Sequence, residues 1–188
     1  MKEFLDEYLT DDVMYDLEVK SFGRIMGVLV EKYVIDMIEN NTGIEVMRES
    51  DQNLNRAGYD IKTKNGIRIQ VKFRQTKGKT PFSCQTYFST TRRHSAMNLG
   101  YAARSGQIAY RKDEFDCVIV VLCPHSEKYG KESRHPDNWR FSCIDVRDII
   151  DQENPDFCEL NIKANLLEKG KEWDKILMKL DKESSREE

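Results

Sequence analysis

The spacing of hydrophobic residues along the chain predicts an alternation of helices and strands. Apolar residues recur at intervals of three and four between Met26 and Met37, which predicts a helix over about residues 24–40. Apolar and polar residues alternate on both sides of Lys64-Asn65-Gly66, which predicts a β-hairpin. An almost continuous apolar run over residues 115–123 predicts a strand that is buried on both faces.

The rest of the chain continues this alternation. The other predicted elements are one or two short helices over 2–19, strands at 44–47, 81–91 and 139–144, helices at 95–104, 146–151 and 166–180, and a polar loop at 124–138. This order predicts an α/β (α+β) domain with a mixed central sheet flanked by helices. The 188 residues suit a single domain, 1–188, with a core at about 24–123 and a C-terminal strand and helical extension at about 139–180.

The length of the hairpin loop decides which side chains share a face. A two-residue turn would place apolar residues opposite polar ones, whereas the three-residue loop Lys64-Asn65-Gly66 separates them and uses Gly66 in a left-handed conformation. The second register predicts a core face of Ile61, Thr63, Ile67, Ile69, Val71 and Phe73, and an opposite face of Asp60, Lys62, Arg68, Gln70, Lys72 and Arg74.

This register brings three chemically different groups together on one face. Asp60 lies opposite Gln70, with Cβ atoms about 5 Å apart, and Lys72 follows on the same face. Mg²⁺ prefers oxygen ligands and retains several waters, so Asp60 suits the role of anchor and Gln70 can offer its amide oxygen. Lys72 can orient or deprotonate a water, or balance charge on a phosphate. A solvated polar face on an ordinary hairpin is the alternative interpretation.

Asp60, nine intervening residues and Gln70-Val71-Lys72 resemble the PD-(D/E)XK nuclease signature in its QxK variant, as in Mrr-like restriction nucleases. The predicted element order also resembles the restriction-endonuclease-like αβββαβ core of that family. The resemblance implies Mg²⁺-dependent hydrolysis of DNA, with Asp60 and Gln70 on the metal side and Lys72 as the catalytic lysine. The chain departs from the family at Gly58-Tyr59, where proline is common, and at Gln70, which replaces an acidic residue.

The first long helix supplies one more candidate. Many family members carry an acidic residue there that faces the site, and Glu31 occupies that place, so the resemblance implies a metal and catalytic role for Glu31. Gly23, Gly27 and Glu31 fall on one stripe of the predicted helix. The two glycines would allow the helix to lie close to the sheet.

Charge is distributed very unevenly along the chain. The formal net charge is −3, but residues 52–112 contain 13 basic residues and one acidic residue, Asp60, so this segment carries +12 and the remainder −15. A basic surface of this kind is what binding to a phosphate backbone needs. The candidate DNA-binding residues are Arg74, Lys77, Lys79, Arg92, Arg93 and His94. Arg92 or Arg93 can read guanine edges, and non-specific backbone contact is the alternative.

Cysteine usage and hydropathy predict a cytoplasmic protein. None of the five cysteines forms a Cys-x-x-Cys pair, which favours reduced thiols used as small hydrophobes over zinc or disulfides. The longest apolar run, residues 118–123, is far shorter than the ~20 residues of a membrane span. The N-terminal residues contain no apolar signal core, so we expect no membrane partner.

Together, these observations predict a Mg²⁺-dependent endodeoxyribonuclease acting on double-stranded DNA, of the type II restriction endonuclease class, in which Mn²⁺ can substitute. A compact enzyme that cuts both strands of a palindrome would act as a homodimer. Two alternatives share the core and the motif. One is a structure-specific nuclease such as a Holliday junction resolvase, and the other is a DNA-binding module that has lost catalysis.

Overall fold

A computed structural model describes residues 19–48, 58–76, 84–85, 103–104, 107–124, 135–159 and 161–186. The helices are α1 (Val19–Thr42), α2 (Ala164–Lys169) and α3 (Trp173–Ser184). The strands are β1 (Val46–Arg48), β2 (Ile61–Thr63), β3 (Arg68–Thr76), β4 (Cys84–Gln85), β5 (Ala103–Arg104), β6 (Gln107–Ile108), β7 (Cys117–Pro124), β8 (Arg140–Asp145) and β9 (Asn161–Ile162). Two short 3-10 turns cover Pro136–Asn138 and Val146–Ile149.

A five-stranded mixed sheet forms the centre of the fold, in the order β1-β2-β3-β7-β8. Strands β3 and β7 are parallel, and the other neighbouring pairs are antiparallel. Two short pairs, β4 with β9 and β5 with β6, lie outside this sheet. The predicted α/β (α+β) class with a mixed sheet and flanking helices is therefore confirmed.

The sheet separates two apolar clusters, because side chains alternate between its faces. We call one side the helix face, where Ile69 and Val71 of β3 pack with Val30 of α1 and Leu177 of α3. The other side, the loop face, is covered by a cluster of Tyr110, Phe115, Ile149, Cys158, Ile162 and Leu167. Strand β7 contributes Ile119 to the first cluster and Val118 to the second, so the predicted burial of this strand on both faces is confirmed.

The hairpin adopts the predicted register. Ile61 lies opposite Ile69, and the backbone N–H of Thr63 donates to the carbonyl of Ile67 at 2.9 Å. Gly66 has a φ of +98°, the left-handed conformation that the three-residue loop requires. The odd-numbered residues of β3 therefore point to the helix face, and Gln70 and Lys72 share the loop face.

The C-terminal helix is broken where the sequence predicted one continuous element over 166–180. Helix α2 ends at Lys169, and α3 begins at Trp173. Between them, the carbonyl of Gly170 accepts a 2.9 Å hydrogen bond from the N–H of Cys143 on β8, and a Cβ at Gly170 would lie 2.7 Å from the Cys143 carbonyl oxygen. Close packing of Gly170 on the sheet therefore interrupts the helix.

Other predicted elements differ in extent. Helix α1 begins at Val19, earlier than predicted, and the helix predicted to follow Asp145 is the 3-10 turn Val146–Ile149, capped by the Asp145 carboxylate. The helix predicted over 95–104 is wrong at its end, where Ala103–Arg104 form β5. The remaining residues of that prediction, those at 2–18, most of 81–91 and most of the 124–138 loop lie outside the described residues.

Buried cysteines line the core. Cys117, Cys123, Cys143 and Cys158 are buried free thiols, and burial raises the pKa of Cys123 and of Cys158 to about 12. These four therefore behave as small hydrophobic residues, as predicted; Cys84 is placed in β4. Within the described ranges, no helix is both long enough and apolar enough to cross a membrane.

Candidate active site

Asp60 and Gln70 are in contact at the end of the β2–β3 hairpin remote from its loop, and Lys72 lies nearby on the same face of β3. The N–H of Asp60 donates to the carbonyl of Ile69 at 3.0 Å, which extends the antiparallel ladder one residue beyond β2. The register that pairs Ile61 with Ile69 sets Asp60 opposite Gln70, as predicted. Lys72 follows on β3, two residues along the same face.

Hydrogen bonds from β3 hold the Asp60 carboxylate. Its Oδ2 atom accepts from the backbone N–H of Val71 at 2.8 Å and from the side-chain Nε2 of Gln70. The position of the carboxylate is therefore set by the backbone of β3 as well as by its partner side chain.

Gln70 is a buried amide whose oxygen lacks a donor in the described part of the chain. Its side chain is only 5% exposed, and Nε2 donates to Asp60 and, at 3.3 Å, to the carbonyl of Val71. Its Oε1 accepts no hydrogen bond from any residue that the structure describes. A buried polar atom without a partner is unfavourable, so an unbonded amide oxygen beside a carboxylate indicates a position for a ligand.

Lys72 is held by Tyr110, a residue that no sequence motif assigns to the site. Its Nζ donates to the hydroxyl oxygen of Tyr110 at 3.0 Å and lies 4.9 Å from the centre of the Tyr110 ring. Lys72 and Tyr110 are 38 residues apart, and no motif spacing connects them. Tyr110 lies between β6 and β7, and β7 is the neighbour of β3 in the sheet. The contact therefore becomes visible only in the folded structure.

Helix α1 packs on the helix face, whereas Gln70 and Lys72 lie on the loop face. Packing of α1 does not by itself bring Glu31 to them, and the metal and catalytic role of Glu31 stays a prediction. A Cβ built at Gly27 meets no described atom within 4 Å, so a close approach to the sheet does not explain this glycine.

Acidic neighbours neutralise part of the basic segment. Four of its basic side chains form ion pairs, with nitrogen–oxygen distances of 2.7 Å for Lys64 with Glu45, 2.9 Å for Arg68 with Asp116, 3.0 Å for Arg111 with Asp113 and 3.3 Å for Lys112 with Asp156. Hydrogen bonding to Asp116 raises the pKa of Arg68. All four carboxylates lie outside residues 52–112, so the net charge of that segment overstates the positive charge that its surface presents.

Only one of the predicted DNA-binding residues can be placed. Arg74 is half-buried on β3, and its Nη1 donates to the carbonyl of Phe73 at 3.0 Å. Lys77, Lys79, Arg92, Arg93 and His94 lie outside the described residues. Their role stays a prediction.

The donor set at the hairpin has one carboxylate and one amide oxygen. No group of three or more His, Cys, Asp or Glu side chains in the described part of the chain is arranged to hold a metal ion. Asp60 and the unbonded Oε1 of Gln70 nevertheless fit Mg²⁺, which commonly binds through one or two protein oxygens and keeps several waters.

Comparisons with known proteins found no matching family model, no matching curated protein and no matching solved structure. Asp60, Gln70 and Lys72, with the distribution of charge around them, are therefore the features of this chain that indicate a function.

Proposed function

We propose that this protein is a Mg²⁺-dependent endodeoxyribonuclease that hydrolyses phosphodiester bonds of double-stranded DNA. The buried Gln70 side chain carries the proposal. Its amide oxygen has no hydrogen-bond donor among the described residues, its nitrogen donates to the Asp60 carboxylate, and Lys72 lies two residues further along the same strand face. An ordinary solvated hairpin does not require a buried, half-satisfied amide at this position.

Each residue has a distinct role in this proposal. Asp60 anchors the metal, and the backbone N–H of Val71 fixes its carboxylate. Gln70 adds its amide oxygen and also steadies Asp60. Bound Mg²⁺ would polarise the phosphate and lower the pKa of water. Lys72 orients the attacking water and balances the negative charge that develops on the phosphate.

The topology of the sheet supports the proposal. An antiparallel β1–β2–β3 unit follows α1, and the chain then crosses over to β7, which is parallel to β3. This order is compatible with the restriction-endonuclease-like core that the motif implies. A type II restriction endonuclease is the class that we favour, and its palindromic substrate would make the active form a homodimer in the cytoplasm.

One observation favours a second candidate, a DNA-binding module without catalysis. Asp60 Oδ2 already accepts two hydrogen bonds, and Lys72 is already bonded to Tyr110, so much of the polar face is satisfied by the protein itself. A module of this kind would bind DNA in a salt-sensitive way and cleave none.

The test uses plasmid DNA, linear duplex and a four-way junction, each with Mg²⁺, with Mn²⁺ and without metal. The wild-type protein should cleave the plasmid into discrete fragments only when metal is present. Lys72→Ala should abolish cleavage, whereas Lys62→Ala, which removes a lysine from β2 of the same hairpin, should retain it. Preference for the junction would indicate a resolvase, a smear a non-specific nuclease, and binding without cleavage the inactive module.

A further inference from the structure

We infer that Tyr110 is a positioning residue for Lys72. The inference rests on the proposed nuclease function, because it assigns to Tyr110 the task of holding the catalytic ammonium group in place. Lysine has four rotatable side-chain bonds, so a lysine on a half-open face samples many positions unless a partner fixes its end.

The contact itself fixes Lys72 in two ways. The Tyr110 hydroxyl oxygen accepts a 3.0 Å hydrogen bond from Nζ, and the ring lies 4.9 Å from the same atom. An aromatic ring at this distance attracts a cation through its negative face. The hydroxyl therefore supplies direction and the ring supplies additional attraction, and both require the ammonium group to be in one place.

Tyr110 is itself a rigid support. Its side chain is 4% exposed, and its ring packs edge-to-face on Phe115 at a centroid distance of 5.5 Å. The carbonyl of Tyr110 accepts a 2.8 Å hydrogen bond from the N–H of Cys158. Because Tyr110 is buried, packed through its ring and hydrogen-bonded through its backbone, it can restrict the position of the Lys72 side chain that it binds.

The loop that follows Tyr110 is also fastened to the hairpin. Asp116 accepts two hydrogen bonds from the guanidinium group of Arg68 and one from the backbone N–H of Arg68. Glu114 lies over Gly58, where an added Cβ would be 2.3 Å from the Glu114 Cβ. Residues 110–116 are therefore bonded to β3 at Arg68 and packed on the segment before Asp60 at Gly58, so Tyr110 holds Lys72 in a defined position relative to Asp60.

The experiment compares Tyr110→Phe with the matched variant Tyr33→Phe, which removes a tyrosine hydroxyl from the helix face. Three quantities are measured in the full-length protein. The first is kcat for plasmid cleavage with Mg²⁺, and the second is the Kd for DNA without metal. The third is the rate at which an amine-reactive reagent modifies Lys72 in the absence of DNA and metal. A melting curve confirms that each variant is folded, and phenylalanine suits the apolar surroundings of Tyr110.

Tyr110→Phe should lower kcat between about tenfold and 100-fold, because small misplacement of a catalytic group has effects of this size. Its Kd should remain within about twofold of the wild type, because Tyr110 is buried and the basic residues are intact. Lys72 should be modified several times faster than in the wild type. Tyr33→Phe should change none of the three quantities.

The possible failures are distinguishable. If the wild type cleaves DNA and Tyr110→Phe matches its kcat and its Lys72 modification rate, the positioning role is wrong and the nuclease function stands. If the wild type binds DNA but does not cleave it, the nuclease function is wrong, and the positioning role is wrong with it. An equal loss of kcat in Tyr33→Phe would also overturn the inference, because the effect would not be specific to Lys72.

Discussion

The two ends of the β2–β3 hairpin are built differently. At the loop end, the buried Asp181 carboxylate of α3 accepts hydrogen bonds from Thr63 Oγ1 at 2.9 Å and from Asn65 Nδ2 at 2.8 Å. Thr63 Oγ1 in turn accepts from the N–H of Ile67 at 3.1 Å. At the open end, Gln70 is equally buried, but its amide oxygen has no partner among the described residues.

We interpret this difference as a division, within one hairpin, between an end that stabilises the fold and an end that serves the proposed function. Buried polar groups are normally paired, and each unpaired group reduces stability. The loop end follows this rule by bonding across 118 residues to the C-terminal helix. The open end departs from it at the Gln70 amide, which contacts the Asp60 carboxylate and shares its strand face with Lys72. A buried polar group that lacks a protein partner is typical of a site that is completed by a ligand.

The largest effect is expected from Asp60→Asn, which would remove the charge that anchors Mg²⁺ in the proposed site but retain the shape of the side chain. Cleavage should fall on the order of 1000-fold, as expected for loss of a group that stabilises the transition state. An asparagine oxygen can still accept from Val71, so the melting temperature should change little. Steady-state plasmid cleavage measures the first quantity and a thermal melt the second. Cleavage within tenfold of the wild type would exclude Asp60 as the anchor.

Asp181→Ala should have the opposite profile. It would leave Thr63 and Asn65 without their shared acceptor, and we expect the free energy of unfolding to fall by about 2–3 kcal/mol. Cleavage per folded molecule should not change. Urea unfolding measures the loss, and Asp174→Ala, on the first turn of the same helix, is the control with an expected loss below about 1 kcal/mol. If Asp181→Ala unfolds at the same urea concentration as the wild type, the stabilising role of the loop end is wrong.

Gln70→Glu tests the open end by adding a negative charge there, whereas Asp60→Asn removes one. A second buried carboxylate beside Asp60 should lower the free energy of unfolding by about 1–2 kcal/mol without metal, because the two charges repel and the bond from Nε2 is lost. Mg²⁺ should then stabilise the variant more than it stabilises the wild type. Melting curves with and without Mg²⁺ measure both effects, and the exposed Gln152→Glu is the control. No additional stabilisation by Mg²⁺ would argue against a metal at Gln70.

The smallest effect is expected from Ser184→Ala. Ser184 Oγ donates to the carbonyl of Asn65 at 2.7 Å in an exposed position, where water can replace the bond. The free energy of unfolding should fall by about 0.5 kcal/mol. Ser185→Ala is the control for urea unfolding, because the hydroxyl of Ser185, one residue past the end of α3, donates to the carbonyl of Lys182 at 3.1 Å and does not reach the hairpin. A loss as large as that of Asp181→Ala would show that the loop end depends on its outer hydrogen bond instead of its buried one.

Local pattern predicted the parts of the site that depend on local geometry. The two-residue period of the strands and the glycine at position 66 are sufficient to set the hairpin register, and the register places Asp60 opposite Gln70. The apolar run of β7 predicted its burial on both faces for the same reason, since side-chain alternation is a property of the strand itself.

Contacts between distant segments were not predictable from pattern. Nothing in the spacing of Tyr110 or Asp181 indicates that one bonds Lys72 and the other Thr63. The break at Gly170 depends on its approach to β8, and the ion pairs of Lys64 and Lys112 depend on carboxylates that folding brings near. Single-sequence charge counts therefore overestimated the positive charge near the hairpin.

The most direct test of the account is the cleavage of supercoiled plasmid by metal-stripped wild-type protein, followed over time as Mg²⁺ is restored. We predict no cleavage without metal and conversion of the plasmid to nicked and linear forms once Mg²⁺ is present. Intact plasmid with Mg²⁺ and with Mn²⁺, in a preparation that is folded and binds DNA, would contradict the assignment of the open end of the hairpin as a nuclease site.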